Sequence, residues 1–433
     1  MKKVNLLLAA VVAASVSAPA VADYTPNAYF NGYLRAGSGF DKNGNLNGSD
    51  DTAHKVGRLG SESKIYGEIG IGADVAKVDD TVWTINSMLA VKSDEATNGA
   101  WVDSSSNAHH LVFRQYNAEV KGLFESDKDA KIWVGKKYIQ REDIHITDTY
   151  YYDISGDGFG IENVTLGQGK WSAAYSKVNN RNHIFDTRYS FPLWDGASFQ
   201  VGNAFVLDKE QKQATDEDPG DEVTNGNTLT LEFTQGFNGG WNKTVYQWGT
   251  GSAVDGIGGN HNAADSVDVT GRSTKGNSHK IYNFGETSLG GDFHLFHQAD
   301  YSIKNYDNYY TVKEENNVKS LESHKDRKEK EWRVVLRPWY KLTKMTRVYA
   351  ELGAYGKTVS EKGAQDQNDR LQKVTLAYAI TPDAGSFWSR PEIRFFATWM
   401  HSTDGDAVFG DGVDTNNKGS TNLCVGAQVE AWW

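Results

Sequence analysis

Cysteine is nearly absent from this chain of 433 residues: Cys424 stands alone, so no disulfide within the chain can staple the fold. Proline is scarce as well, at 7 residues, and no Pro-rich or Gly/Ser-rich linker divides the sequence. A positive surplus is missing. Lys and Arg total 45 against 56 Asp and Glu, a formal charge of −11, whereas a nucleic-acid partner demands a basic face. Beyond residue 22 no run approaches the roughly 18 apolar residues that a membrane-spanning helix needs. The continuous Val/Ile/Leu runs of a large parallel-sheet enzyme are also lacking, and mean hydropathy is −0.58.

What the chain has in excess is aromatic and flexible: 13 Trp, 21 Tyr, 18 Phe and 44 Gly. It opens with an address. Lys2-Lys3, the apolar stretch Leu6–Ala14 and the small-x-small tripeptide Ala20-Val21-Ala22 form a secretory leader. Cleavage after Ala22 leaves residues 23–433 as the mature chain. An exported protein without a spanning helix is either soluble outside the cytoplasm or a β-barrel in an outer membrane.

Alternation with period two runs through most of the mature chain. In the first such segment Phe30, Leu34 and Ala36 share one face, while Asn31, Tyr33 and Arg35 share the other. Farther on, Ile65, Ile69 and Ile71 oppose Lys64, Tyr66 and Glu68, and Trp83, Ile85 and Leu89 lie together. The segments 374–380 and 393–399 also read as strands, with weaker alternation. At the C-terminus Val425, Val429, Ala431 and Trp433 face away from Gln428, Glu430 and Trp432. No capped segment of helical period stands out. Alternation alone fits a soluble sandwich as well as a barrel.

Connections tip the reading toward the barrel. Long polar stretches at 93–110, 208–227, 249–278, 312–331, 356–370 and 402–422 alternate with short turns such as 125–129. Long loops at one rim and short turns at the other suit an outer-membrane barrel, and a compact soluble domain rarely carries so many. No repeat of solenoid or propeller length is present. A single barrel domain over 23–433 is the expectation.

Motifs of catalysis are missing: there is no G-x-S-x-G, H-E-x-x-H, P-loop or G-x-G-x-x-G that opens a helix. Asp404-Gly405-Asp406 and Asp411-Gly412-Val413-Asp414 lack full calcium-loop spacing and read as solvated acidic loops. His109-His110 has no zinc-like partner spacing. Sugar-hydrolysing carboxylate pairs stay open on sequence alone, since any acids can meet in space. No enzyme, metal or cofactor is expected. The densest stretch is 133–160, where a strand gives way to Gln140-Arg141-Glu142-Asp143-Ile144-His145-Ile146-Thr147-Asp148-Thr149-Tyr150-Tyr151-Tyr152-Asp153-Ile154-Ser155-Gly156. Charges interleaved with rings suit a polar ligand that has apolar faces.

This stretch resembles the constriction loop of the maltoporin family. Phe30-x-Gly32-Tyr33-x-Arg35 resembles that family's first strand, and Arg58-Leu59-Gly60 followed by Tyr66-x-Glu68 its second region. Trp388-Ser389-Arg390-Pro391-x-Ile393-Arg394 and the terminal Gly426-Ala427-Gln428-x-Glu430-x-Trp432-Trp433 resemble its last strands. The similarity runs over residues 28–433, in patches through the middle. It implies an all-β fold: a transmembrane antiparallel barrel of about 18 strands with an inward-folded constriction loop. It further implies a homotrimer in outer-membrane lipid that passes malto-oligosaccharides, with long loops open to use as a phage receptor.

The family moves sugar along a slide of aromatic rings flanked by charged residues. A glucosyl unit packs its C–H face on a ring and turns its hydroxyl rim to charges, and weak serial sites let it leave as easily as it enters. Carried over by position, the slide is Tyr33, Tyr66, Trp241, Trp388 and Trp432, and Trp101 best matches a ring lent by a neighbouring subunit. The charged track is Arg35, Arg58, Glu68, Arg114, Arg141, Asp143 and Asp148; Tyr150 matches the constriction tyrosine and Asp153 the acid after it. Two departures stand out: Ser63 replaces the usual early Cys, and Tyr152 replaces a Trp. Porins for sucrose or β-glucosides are the nearest alternatives. A secreted β-rich carbohydrate-binding protein or glycosidase is the more distant one, disfavoured by the aromatic C-terminus.

Overall fold

The computed structural model describes residues 25–433 apart from 42–49, 63–64, 94–108, 178–181, 209–224, 252, 255–272, 316–317 and 404–419. The leader and Trp101 lie outside the described residues. The strands are β1 Asn27–Asp41, β2 Ile65–Val78, β3 Thr81–Ser93, β4 His109–Lys121, β5 Lys131–Lys137, β6 Glu142–Ile144, β7 Thr149–Tyr152, β8 Gly156–Leu166, β9 Gly169–Lys177 and β10 Asn182–Trp194. They continue as β11 Ala197–Asp208, β12 Gly226–Phe237, β13 Gly240–Gly251, β14 Ser273–Gly290, β15 Phe293–Glu315, β16 Val318–Lys341, β17 Thr346–Ser360, β18 Gln367–Ile380, β19 Glu392–Ser402 and β20 Ser420–Trp432. Among the described residues one short helix, α1, spans Asp50–Val56.

All strands except β6 and β7 form one 18-stranded antiparallel sheet. It closes on itself where β1 pairs with β20, with Tyr33 opposite Trp432 and Arg35 opposite Glu430. Closure removes every sheet edge, the condition for backbone to cross a bilayer on strands. The short connections, such as Gly167-Gln168, Asp195-Gly196 and Asn238-Gly239, collect at one rim.

Side-chain alternation sorts the wall into two faces. Along β19, Glu392, Arg394, Phe396, Thr398 and Met400 are buried toward the lumen, while Ile393, Phe395 and Trp399 are exposed on the outer wall. This strand alternates cleanly. The weaker reading from sequence arose because Phe396 and Met400 point inward with the charges. Phe30, Ile65, Ile69, Trp83 and Ile85 lie exposed on the outer wall, and Arg35, Glu68, Gln428 and Glu430 are buried on the inner one.

Two expectations are corrected. The polar stretch 312–331 is not an open loop but the far end of the β15–β16 hairpin, paired out to Glu315 and Val318. Strands that run past the membrane lose apolar alternation while keeping backbone pairing. Likewise only Glu361–Asp366 connects β17 to β18 within 356–370. The helix α1 was also missed, because seven residues carry too little period to see.

Between β5 and β8 the chain turns into the barrel. Its hairpin β6–β7 pairs Asp143 with Tyr150 and Ile144 with Thr149. Ile139, Ile144, Ile146 and Ile154 are completely buried and give this inner loop a small core, to which α1 and the following turn add Val56 and Leu59. An inserted segment with its own apolar filling holds one shape.

Candidate functional site

The consecutive tyrosines of the inner loop divide the work between anchorage and lining. Tyr151 and Tyr152 are buried. Tyr152 donates its hydroxyl to Asp186 on β10, and its ring lies over Gly202, where a Cβ would collide with it. Tyr151 donates to Glu232 on β12 at 3.2 Å and accepts from Lys243 Nζ at 3.0 Å. Only Tyr150 is half exposed to the lumen. The Arg141 guanidinium lies 4.0 Å over its ring centre and 4.5 Å over that of Tyr138, with Asp153 3.7 Å away. Asp143 is exposed beside this group.

The tip of the hairpin reaches the opposite wall. Thr147 Oγ1 donates to Gln298 at 2.8 Å, and Thr149 Oγ1 accepts from Arg333 at 3.0 Å. It also meets the turn after α1, where Arg58 N–H donates to the Ile146 carbonyl at 2.9 Å. That turn needs glycine at two points. Gly57 and Gly60 have φ of +98° and +70° and press on Glu351 and Thr398 respectively, so a Cβ at either is excluded. Leu59 N–H donates to Glu351 at 3.0 Å, and Lys373 reaches Ser61 Oγ at 2.9 Å.

Arg58 therefore projects from a loop, not a strand, into the charged track. Its Nε bonds Glu62 at 3.0 Å, and its Nη2 donates to Tyr33 Oη at 3.0 Å and lies 3.1 Å from Glu430. Arg35 pairs with Glu62 and, at 3.2 Å, with Asp148. Burial alone would raise the Asp148 carboxyl, but Arg58 and Arg35 hold it down to about 2. Glu68 accepts from Tyr66 and from Tyr138, the latter at 2.6 Å. Arg114 donates to Tyr138 Oη at 2.8 Å. It is the extra residue of a β-bulge, since Met88 pairs with Gln115 and Leu89 with Phe113. The bulge turns two successive polar side chains toward the pore.

The rings form a connected file. Tyr66 and Tyr33 lie 6.0 Å apart, centre to centre, and Trp388 and Trp432 6.4 Å. Tyr33 and Trp432 are register partners across the seam. Trp241 joins through Phe296, 5.9 Å from it and 6.2 Å from Trp388. The structure thus brings together every carried-over residue that it describes; Trp101 lies outside the described residues.

Several members escaped sequence reasoning. Phe296 and Phe387, both buried, back the tryptophans. Arg390 lies 4.2 Å over the Trp432 ring and pairs with Glu430, which Arg394 also meets at 2.6 Å. Such buried acids are tolerable only when matched by cations and hydrogen bonds. His145 sits between ring file and charges, 5.4 Å from Trp388 and 5.8 Å from Trp432, with Arg58 and Arg390 on its two nitrogens. Burial pushes its imidazole down to about 4, reinforced by Arg58 and Arg390 and opposed by Glu430. The inward position of Arg394 was readable from alternation; the others depend on distant chain segments meeting. Among the described residues no cluster of His, Cys, Asp and Glu is arranged to hold a metal.

The arrangement offers planar apolar platforms with charged hydrogen-bonding groups beside them, across from an inward loop. A profile of the family described as LamB porin matches residues 28–433. The maltoporin of Vibrio cholerae serotype O1 is 34% identical over 444 aligned positions, covering 100% of each chain. The maltoporin of Photobacterium profundum is 34% identical, over 93% of this chain and 93% of its own. Among solved structures, the anion-selective porin from Comamonas acidovorans covers 94% of this chain and 100% of that one, at 9% identity and a TM-score of 0.46.

Proposed function

The chain belongs to the LamB porin family, and from that membership we propose that it is a passive outer-membrane channel for maltose and maltodextrins. Residues 23–433 form its one barrel domain after removal of the leader, and three copies assemble in the membrane. The observation that supports this reading best is the file Tyr66, Tyr33, Trp432, Trp388, Phe296 and Trp241 with its flanking charges. A malto-oligosaccharide slides with its C–H faces on these rings. Arg35, Arg58, Glu68, Arg114, Arg141 and Asp148 exchange hydrogen bonds with its hydroxyls. Neighbouring sites overlap, so no single one holds the sugar long. Nothing is consumed and no bond is made or broken.

Planar-bilayer recording tests the proposal. Maltotriose should block the ion current in a saturable way at concentrations where sucrose and cellobiose leave it open. Equal or stronger block by either of the latter would reassign the sugar class. Recovery of the protein in a soluble fraction would remove the channel altogether.

A further inference from the structure

The charged track described above lies with Tyr33, Tyr66 and the inner loop. At the other end of the file, Trp241 and Trp388 have one acid beside them that the track does not include. Glu286 on β14 is the register partner of Trp241 on one side and of Phe296 on the other. Those pairings put its side chain on the lumenal face between Trp241 and Phe296. Register partners share a face, so the acid lies among the rings of the file.

Glu286 is unlike most acids of the inner wall. Glu430, Glu392, Glu351, Glu232 and Asp300 each pair with Arg or Lys. Among the described residues no cation lies within ion-pair distance of Glu286. Arg347, the one cation that acts on it electrostatically, is itself bound to Glu392. Glu68 likewise has no ion pair among the described residues and accepts from Tyr66 and Tyr138. A carboxylate has about four acceptor positions. Without a cation to occupy them they can take hydroxyl donors from a sugar on the neighbouring rings, of which Trp388 is 41% exposed.

We propose that Glu286 is a sugar-contacting, specificity-determining residue at the short-turn end of the slide: it accepts hydroxyls from a glucosyl unit stacked on Trp388 or Trp241 and repels sugars that carry negative charge. The inference rests on the sugar-channel reading given above. A neutral sugar supplies hydroxyl donors to an acid that no cation neutralises. An anionic one brings its own charge against it at short range, with little screening inside the barrel.

Current-block titrations with maltotriose and with its aldonate, maltotrionate, test the assignment in the parent channel and in Glu286→Gln. The amide keeps size and removes charge. In the parent channel maltotriose should bind more tightly than maltotrionate. In Glu286→Gln maltotriose binding should weaken by about tenfold, the scale of one lost hydrogen bond to a charged acceptor, and the gap to maltotrionate should narrow by about threefold or more. Equal losses for both sugars would reduce Glu286 to a support for the rings and overturn the proposal, as would an unchanged maltotriose constant. If the variant fails to assemble, the parent channel decides: equal binding of the two sugars sinks the inference. A parent channel that maltotriose does not block at all refutes the sugar-channel reading itself, an outcome distinct from those.

Discussion

Replacing Tyr150 by Ala should raise conductance and lower sugar affinity together. The ring is the lumen-facing member of the tyrosine run, held by the Arg141 guanidinium 4.0 Å above it. A tyrosine buries roughly 150–250 Å² when fully covered. A sugar face covering about a quarter of that, roughly 50 Å², loses about 1.2 kcal/mol at 25 cal/mol per Å², or about eightfold in binding. Arg141 also loses a stacking contact of about 0.5–1 kcal/mol, but Tyr138 at 4.5 Å and Asp153 at 3.7 Å keep it in place. Loop position therefore survives, and the freed space goes to water and ions. Single-channel recordings with and without maltotriose read both quantities. Parent-like conductance, or affinity lost without any gain in conductance, would refute the view that this ring forms the bottleneck. Tyr152→Phe is the matched control. It cuts the anchor to Asp186 without widening the pore, so current noise should grow while mean conductance holds.

Gly60→Ala forces a left-handed residue against Thr398 and should loosen the turn after α1 by about 1–3 kcal/mol, seen as a lower heat-dissociation temperature of the assembled protein. Arg58→Met removes one of the cations on Glu62 and Glu430, which keep Arg35 and Arg390 with Arg394, and should cost about 1.5–3 kcal/mol by the same assay, with retention of the parent temperature counting against a stabilising network. Acidification should weaken the inner loop. His145 is held below the usual histidine range, to about 4, so its contribution is complete above about pH 6.5 and is lost as pH falls toward 4. The heat-dissociation temperature should drop over that window in the parent and less so in His145→Gln. Unheated samples on denaturing gels should run far above 47.9 kDa, because a closed barrel resists detergent; migration as a monomer would contradict the assembly.

The inner face of β1, β2 and β20 was legible because Tyr33, Arg35, Tyr66, Glu68 and Trp432 obey a strict period of two. The inner loop was legible through composition, since charge and ring density at 138–155 has no use on a membrane-facing strand. Other features were not. The outer half of the β15–β16 hairpin looked like loop because water, not lipid, surrounds it and no alternation is required there. Glu62, Phe296, His145 and Glu286 take their meaning from partners hundreds of residues away or across strand registers, as Glu62 does from Gln428 at 3.1 Å. A one-dimensional pattern cannot report such pairings. Arg114 was placed by resemblance, and the bulge that aims it inward shows only in the register.

The loop across the lumen is tied at Asp186 and Glu232 on one wall, at Gln298 and Arg333 on the other, and to the turn after α1 between them. A beam fixed at both ends and propped in the middle has no hinge. Selectivity in such a pore resides in interchangeable fittings on a rigid frame. Tyr150, Arg141 and Glu286 can be exchanged without moving the backbone that presents them. Retargeting the channel to a differently shaped or charged solute becomes a matter of few substitutions, and the ties of Tyr151 and Tyr152 are the ones an engineer should leave alone.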